Sequence, residues 1–183
     1  MKDSSASRHK AQVTHEDAVE RLFVEHAADV LRWVIRLGGP YVHAEDVAQD
    51  VFATALKRYP SFRGDSSPRT WLFSITRNVV RNARRRAALR RFVGLGDEVP
   101  EPASDAPGAD EALGARRRRR SVQTALETLS TKHREALVLV DMEGLTAGEA
   151  GALLGVPEGT VSSRLHHGRR AFASALKRQG FTP

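Results

Sequence analysis

A segment rich in proline and glycine divides this 183-residue chain near its middle. Proline lacks the backbone donor that a helix or sheet needs, and glycine loses the most conformational entropy on ordering. We therefore predict a flexible linker over 92–117, between two blocks at 14–91 and 118–183, after a disordered polar tail over 1–13. The residues that define the linker are Pro100, Pro102, Pro107, Gly94, Gly96, Gly108 and Gly114.

Charge is distributed unevenly along the chain, whose formal net charge is +7. Residues 1–90 carry +6, residues 91–115 carry −5, and residues 116–183 carry +6. Each block is therefore about as basic as the whole chain, because an acidic segment masks part of the total. A basic excess favours a polyanionic partner such as nucleic acid, although an inert basic surface has the same composition.

The composition excludes several classes of protein. The absence of cysteine rules out a disulfide scaffold, a thiolate nucleophile and a cysteine-ligated zinc or iron–sulfur site. No apolar run approaches the roughly 18 residues that suggest a membrane-spanning helix, so no membrane insertion is expected. The start of the chain lacks the apolar segment of a secretory signal, and the expected compartment is therefore the cytoplasm.

Apolar residues at helical spacing predict an all-α fold of two small helical domains. In the first block, the predicted helices cover about 14–37, 43–58 and 68–89. Ser67 followed by Pro68 is typical of an N-cap and a first helical residue. The expected buried residues are Val19, Leu22, Phe23, His26, Val30, Val34, Leu37, Val47, Val51, Phe52, Ala55, Trp71, Leu72, Ile75 and Val79.

The third predicted helix is basic and lacks acidic residues. A helix of one charge sign repels itself unless a polyanion neutralises it, so this face indicates phosphate contacts, with a merely solvated face as the alternative. Asn78 and Asn82 share one side of the helix, where an amide can pair with base edges or simply fill the surface. The eight arginines are Arg69, Arg77, Arg81, Arg84, Arg85, Arg86, Arg90 and Arg91.

The second block contains the most specific local pattern. Thr146 can cap a short helix over 147–154, Gly155 makes a tight turn, and Pro157 starts a longer helix. This arrangement is typical of a helix-turn-helix, whose second helix enters the major groove, although a plain helical hairpin remains an alternative. The upstream run Arg116–Arg120 is either a solvated helix start or hinge, or a site of nonspecific phosphate attraction.

The adjacent histidines His166 and His167 do not predict a metal site. Neighbouring residues on a helix point about 100° apart, and the i,i+4 pairing used by zinc enzymes is absent. We expect no metal and no cofactor.

Three groups of residues resemble an alternative sigma factor of bacterial RNA polymerase, of the small extracytoplasmic-function (ECF) group. The resemblance covers roughly 15–180. Its motifs are Ala44-Glu45-Asp46-Val47-Ala48-Gln49-Asp50-Val51-Phe52, then Phe62-Arg63-Gly64-Asp65-Ser66 with Thr70-Trp71-Leu72, and finally Glu143-Gly144-Leu145-Thr146 through Gly159-Thr160-Val161-Ser162-Ser163-Arg164-Leu165-His166.

The resemblance implies a promoter-specificity subunit that is not an enzyme and binds core polymerase through its β′ and β subunits. It implies region 2 in the first domain, region 4 in the second, promoter DNA as a ligand, and an anti-sigma factor as a further partner. The implied β′ contacts are Asp46, Gln49, Asp50 and Phe52. The implied minus-10 residues are Phe62, Arg63, Asp65, Ser66, Trp71, Arg77, Asn78, Arg81 and Asn82. The implied minus-35 residues are Ser162, Ser163, Arg164, His166, His167, Arg169 and Arg170.

Two other functions are compatible with parts of the pattern. A stand-alone helix-turn-helix regulator would use the first block as a sensor or dimerisation module, but such a module does not need an acid-free arginine helix. A nuclease with a DNA-binding tail would need clustered carboxylates for a metal ion, and the candidates are Glu45, Asp46 and Asp50.

Overall fold

The structure of the chain, a computed structural model, describes residues 3–94 and 109–181, with side chains over 17–94 and 114–181. Throughout these ranges the backbone forms helices joined by turns and bends, without a strand. None of the described helices is long and apolar enough to span a membrane.

Residue contacts divide the chain into two compact units, Met1–Glu98 and Val99–Pro183. Over the described residues, each unit consists of helices and their connections. The prediction of an all-α fold with two small helical domains is therefore confirmed.

Three helices form the first unit: α1 (Asp3–Gly38), α2 (Ala44–Arg58) and α3 (Pro68–Phe92). A short 3-10 turn, Tyr59–Ser61, follows α2, and each of the three helices packs on the other two. Helix α3 begins as predicted, because the Ser67 hydroxyl accepts a hydrogen bond of 3.1 Å from the Thr70 N–H. This bond satisfies one of the backbone donors that a helix start leaves free.

The core of the first unit follows the predicted stripe on α2 and departs from the predicted stripes in part on α1 and α3. On α1, Phe23 is 51% exposed, while Trp33, which the spacing argument omitted, is buried against Phe73. On α3, Trp71 and Val79 are only half-buried. The buried side of α3 consists of Leu72, Phe73, Ile75, Thr76, Val80, Ala83 and Ala87.

Helix α1 begins at Asp3, whereas a disordered tail over 1–13 and a helix start at 14 were predicted. Glycine and proline are the residues that most often interrupt a helix, and none occurs before Gly38. The polar composition that suggested a tail is equally compatible with a solvated helix.

The second unit comprises four α-helices and one π-helical segment over its described residues. They are α4 (Ala109–Glu127), α5 (Thr131–Leu137), the π segment (Val138–Met142), α6 (Ala147–Leu154) and α7 (Glu158–Arg178). Helix α7 packs against α4, α5 and α6. Its core includes Leu126 and Leu139 together with Val161 of α7, each at most 1% exposed.

Helices extend into both ends of the linker predicted over 92–117. Helix α3 continues through Phe92 and α4 begins at Ala109, while 95–108 lies outside the described residues. The last proline of the segment is Pro107, so no proline opposes a helix after that position. The run Arg116–Arg120 consequently lies inside α4, where all five side chains are exposed.

A buried arginine joins α4 to α5. The Arg134 side chain is 2% exposed and donates hydrogen bonds to the carbonyl oxygens of Leu126, Glu127 and Leu129 at 2.8, 3.3 and 3.3 Å. Its Nη1 also lies 2.9 Å from the Glu127 carboxylate. The last carbonyls of a helix lack partners within that helix, so Arg134 satisfies the carboxyl end of α4.

Candidate nucleic-acid interfaces

Helix α6 starts with reciprocal hydrogen bonds between Thr146 and Glu149. The Glu149 N–H donates to the Thr146 hydroxyl at 3.2 Å, and the Thr146 N–H donates to the Glu149 carboxylate at 2.8 Å. This backbone donor, followed by the Thr146 hydroxyl, lowers the pKa of Glu149 below its usual value. The predicted helix over 147–154 with Thr146 as its cap is confirmed.

The turn between α6 and α7 depends on two glycines. Gly155 has a φ of +69°, a left-handed conformation that side chains disfavour, as expected for the predicted tight turn. A Cβ at Gly151 would lie 2.7 Å from the Val156 carbonyl oxygen, so glycine permits the turn to close against α6. Pro157 occupies the N-cap, one residue before the observed start of α7.

Helix α7 buries one side and presents the other to solvent. Val161, Leu165 and Gly168 are buried. Arg164 is half-buried, whereas the other side chains implied for minus-35 DNA are exposed: Ser162, Ser163, His166, His167, Arg169 and Arg170. The exposed side is therefore accessible to a ligand along at least two helical turns.

Arg169 has an intramolecular partner that the sequence argument missed. Its Nε and Nη2 donate to the two Asp141 oxygens at 2.9 and 2.6 Å, and this bond raises the pKa of Arg169. Asp141 belongs to the π segment, 28 residues earlier in the chain. Arg169 is thus not a free phosphate ligand, although the Nη1 edge of its guanidinium is not used in this pair.

A third histidine, His133, lies beside His166 and His167 of α7. The ring of His133, on α5, stacks on the ring of His167 with centroids 6.0 Å apart, and His166 meets His167 edge-on at 5.5 Å. Burial lowers the pKa of His133, and the charges of Lys132, His167 and Arg164 lower it further. Sequence spacing offered no signal for this contact, because His133 and His167 lie on different helices.

An aromatic cluster marks the start of α3 in the first unit. Phe62 and Trp71 have ring centroids 4.7 Å apart, and Tyr59 lies 6.2 Å from Phe62 and 6.1 Å from Trp71. All three rings are half-buried. Phe62 and Trp71 were predicted as site residues, whereas Tyr59 was not.

The loop that follows Phe62 is open to solvent. Arg63, Asp65 and Ser66 are exposed, and Gly64 has a φ of +77°. This loop lies in sequence between the two aromatic residues, so its exposed polar groups are close to the cluster.

Further along α3, the exposed side continues from the aromatic cluster. Trp71, Asn78 and Arg81 recur at helical intervals of seven and three residues, which places them along one side of the helix. Asn78, Arg81 and Asn82 are exposed, and Arg77 is half-buried. An aromatic cluster therefore adjoins a polar and basic helix face.

At least four of the eight α3 arginines bind groups within the first unit. Arg84 donates to the carbonyl oxygens of Leu37 and Gly38 at 3.0 and 3.2 Å, at the carboxyl end of α1. Arg86 lies 3.8 Å from the Asp50 carboxylate, and the Arg91 guanidinium lies 4.0 Å over the Tyr41 ring.

Arg69 is the fourth of these arginines. Its Nε donates to Asp29 at 2.9 Å, while its guanidinium lies 5.2 Å over the ring of Trp33. Burial raises the pKa of Asp29, but hydrogen bonds from Arg69 and Arg32 outweigh it and the pKa lies below its usual value. The phosphate-contacting role of α3 stays a prediction, while α1 and α2 supply some of its arginines with partners that the local sequence does not show.

The polar side of α2 is exposed at Asp46, Gln49 and Asp50. Phe52, assigned to the same contact set, is buried, and its ring meets Phe23 edge-on at 4.9 Å. Its assignment as a polymerase contact stays a prediction, in which Phe52 would act from the apolar side of α2 that faces α1. The nuclease alternative gains no support, since no three acidic or histidine side chains among those described form a metal-binding group.

Comparison with known proteins assigns both units to one family. The family model described as Sigma-70 region 2 matches residues 22–90, and the model described as Sigma-70, region 4 matches residues 119–172. The chain is 35% identical over 163 residues to the ECF RNA polymerase sigma factor SigL of Mycobacterium tuberculosis, covering 88% of this chain and 90% of the relative. It is also 34% identical over 158 residues to the RNA polymerase sigma factor CarQ of Myxococcus xanthus, covering 84% and 86%.

Two solved structures agree with this assignment. The sigma factor RpoE, in complex with the anti-sigma factor NepR from Bartonella quintana, matches with a TM-score of 0.67 and 25% identity over 86% of this chain and 96% of that one. CnrH, in complex with the cytosolic domain of CnrY, has the same TM-score and identity over 93% and 94%. The match of the first unit to region 2 disfavours the stand-alone regulator. The chain therefore belongs to the sigma-70 family, in its ECF group, and is an RNA polymerase sigma factor that acts in promoter recognition and transcription initiation.

Proposed function

We propose that the two units read two promoter elements through different chemistry, with the first domain at 14–91 and the second at 118–183. The first domain holds the melted minus-10 strand, and the second reads duplex DNA at minus-35. The observation that carries this proposal is the aromatic cluster of Tyr59, Phe62 and Trp71 beside the exposed Asn78 and Arg81.

The minus-10 assignment follows from the needs of an unpaired base. A base that leaves the duplex loses stacking, and aromatic side chains restore part of it, while a basic surface follows the strand. Phe62 and Trp71 supply the aromatic surface, and the exposed loop residues Arg63, Asp65 and Ser66 supply polar groups. On α3, the polar and basic residues are Arg77, Asn78, Arg81 and Asn82.

The minus-35 assignment rests on the exposed side of α7. In a helix-turn-helix, residues near the start of the second helix reach base edges in the major groove. Ser162, Ser163, His166 and His167 are our proposed base-reading residues, and Arg164 and Arg170 are the proposed phosphate contacts. Arg169 contributes through the orientation that Asp141 imposes on it.

Core polymerase is the proposed partner of α2. Asp46, Gln49 and Asp50 form an exposed polar surface there that would meet the β′ subunit, with Phe52 supporting it from the core. An anti-sigma factor is a further proposed partner, because the similar proteins RpoE and CnrH were solved with NepR and CnrY. We also propose that the chain has no enzymatic activity of its own and acts in the cytoplasm.

Transcription from a promoter library by core polymerase with this chain tests the proposal as a whole. We expect transcripts that start downstream of a shared pair of promoter elements. No initiation on any template, together with tight binding of the isolated chain to duplex DNA, would refute it.

Asn78→Ala tests the minus-10 assignment. We expect open-complex formation to fall more than polymerase binding, because Asn78 is exposed on the DNA-facing side and lies outside the polymerase surface of α2. Permanganate footprinting and co-purification measure the two quantities. An equal loss of both would contradict the role of Asn78.

His167→Ala tests the minus-35 assignment. We expect a change in the preferred minus-35 bases, measured by sequencing transcripts from a library randomised at that element. Ser174→Ala, an exposed substitution later on α7, is the matched control and should leave the preference unchanged. An unchanged preference in His167→Ala removes this residue from the base-reading set.

A further inference from the structure

His133 of α5 and His167 of α7 form a pair of stacked histidine rings, which neither helix could form alone. Helices α5 and α7 approach closely here, since a Cβ at Gly168 would lie 3.2 Å from the His133 carbonyl oxygen. The close approach brings the half-buried His133 ring onto the exposed His167 ring, at 6.0 Å between centroids with planes inclined by 28°. The accessible part of the His133 ring therefore adjoins the exposed side of α7.

Positively charged side chains lie near His133. Lys132 on α5 and Arg164 on α7 act on His133 together with His167, and His166 lies edge-on to His167. Two carboxylates of this unit pair with arginines: Glu127 with Arg134, and Asp141 with Arg169. Burial and these positive charges lower the pKa of His133, so the neutral ring is favoured while no anion is bound.

A DNA backbone phosphate near His133 would shift the equilibrium between the neutral and the protonated ring. A phosphodiester brings a negative charge that favours the protonated imidazole, and histidine titrates near physiological pH. Because binding and protonation are linked, an anion that favours the protonated ring must bind more tightly when protons are abundant.

We propose that His133 extends the DNA-contacting surface of α7 and that the His133 ring, stacked on His167, takes up a proton when a backbone phosphate of duplex DNA binds. This inference rests on the proposed minus-35 role of α7. Its consequence is duplex binding that strengthens as the pH falls from 8 towards 6.

The test measures binding of a short fluorescent duplex DNA by the full chain between pH 6 and 8, at constant ionic strength. Uptake of one proton changes the binding constant by at most about tenfold per pH unit, so we expect a total rise on the order of tenfold. The double variant His133→Gln, His167→Gln should lose most of this pH dependence, whatever its affinity at pH 8. His43→Gln, an exposed histidine of the first unit, is the matched control and should retain the full dependence.

A second measurement uses the wild-type chain and is therefore independent of any folding defect in the variants. The titration midpoint of the His133 ring proton, followed by NMR in the wild-type chain, should rise by at least half a pH unit when duplex DNA is added. An unmoved midpoint, or an unchanged pH dependence in the double variant, overturns the inference. Failure of the wild-type chain to bind duplex DNA at any pH would instead count against the proposed minus-35 function.

Discussion

Glycine is unusual inside a helix, yet Gly148 and Gly151 both lie within the eight-residue α6. Their surroundings differ. A Cβ at Gly151 would meet the Val156 carbonyl oxygen at 2.7 Å, whereas a Cβ at Gly148 would have its nearest neighbour, the Glu158 carboxylate, at 3.6 Å. The geometry of the helix-turn-helix thus requires glycine at position 151 and tolerates a larger residue at position 148.

Gly151→Ala should destabilise the second unit by about 1–3 kcal/mol, the usual cost of inserting a methyl group into a packed site. Gly148→Ala is the matched control and should leave stability unchanged or slightly higher, because alanine is the better helix former. Thermal denaturation followed by circular dichroism measures both. Equal stability of the two variants would show that the turn relaxes around the added methyl group.

Within a single element, α3, some arginines pack inside the first unit and others are exposed to solvent. Arg84 binds the last carbonyls of α1, while Arg85 is exposed beside it in sequence. Adjacent residues on a helix point about 100° apart, so neighbours of identical chemistry face different surroundings. One residue therefore supports the fold and the next is available to a ligand.

Arg84→Ala should lower the free energy of unfolding of the first unit by about 1–2 kcal/mol, because it removes charged hydrogen bonds to a helix end. Arg85→Ala should change stability by less than about 0.5 kcal/mol and should weaken single-stranded DNA binding with a shallower salt dependence. Chemical denaturation and a salt titration of DNA binding measure the two effects. If Arg85→Ala were the more destabilising variant, our division of roles would be wrong.

For the whole molecule, we expect the acidic segment over 91–115 to weaken the nonspecific attraction of the chain for DNA. The units on either side of it are basic, and the electrostatic attraction of a polyanion depends on the summed charge of the molecule. The net charge of +7 therefore understates how basic the folded units are.

Neutralising four acidic residues should raise nonspecific duplex affinity at low salt, because the net charge increases from +7 to +11. The gain should shrink at high salt. Filter binding at two salt concentrations measures it, and a control that exchanges Asp and Glu at the same positions should behave like the natural chain. Unchanged affinity at low salt would show that the segment does not screen the units. The residues to change are Asp97, Glu98, Glu101 and Asp105.

Features that depend on neighbouring residues could be predicted from the order of the amino acids. Apolar spacing predicted the helices, Ser67 and Thr146 predicted helix starts, and Gly155 predicted the turn of the helix-turn-helix. These features are local, since periodicity, capping and backbone conformation involve residues within about one helical turn. The motifs carried along these elements were also sufficient to indicate the family.

Only the tertiary structure shows which charged and aromatic side chains have partners within the chain and which are accessible to a ligand. Arg69 meets Asp29 across 40 residues, and Arg169 meets Asp141 across 28. The buried Phe52 packs edge-on against Phe23 of α1, and His133 contacts His167 from another helix. Helical periodicity identifies a face but not what covers it, because the partner comes from a distant part of the chain and is brought there by packing.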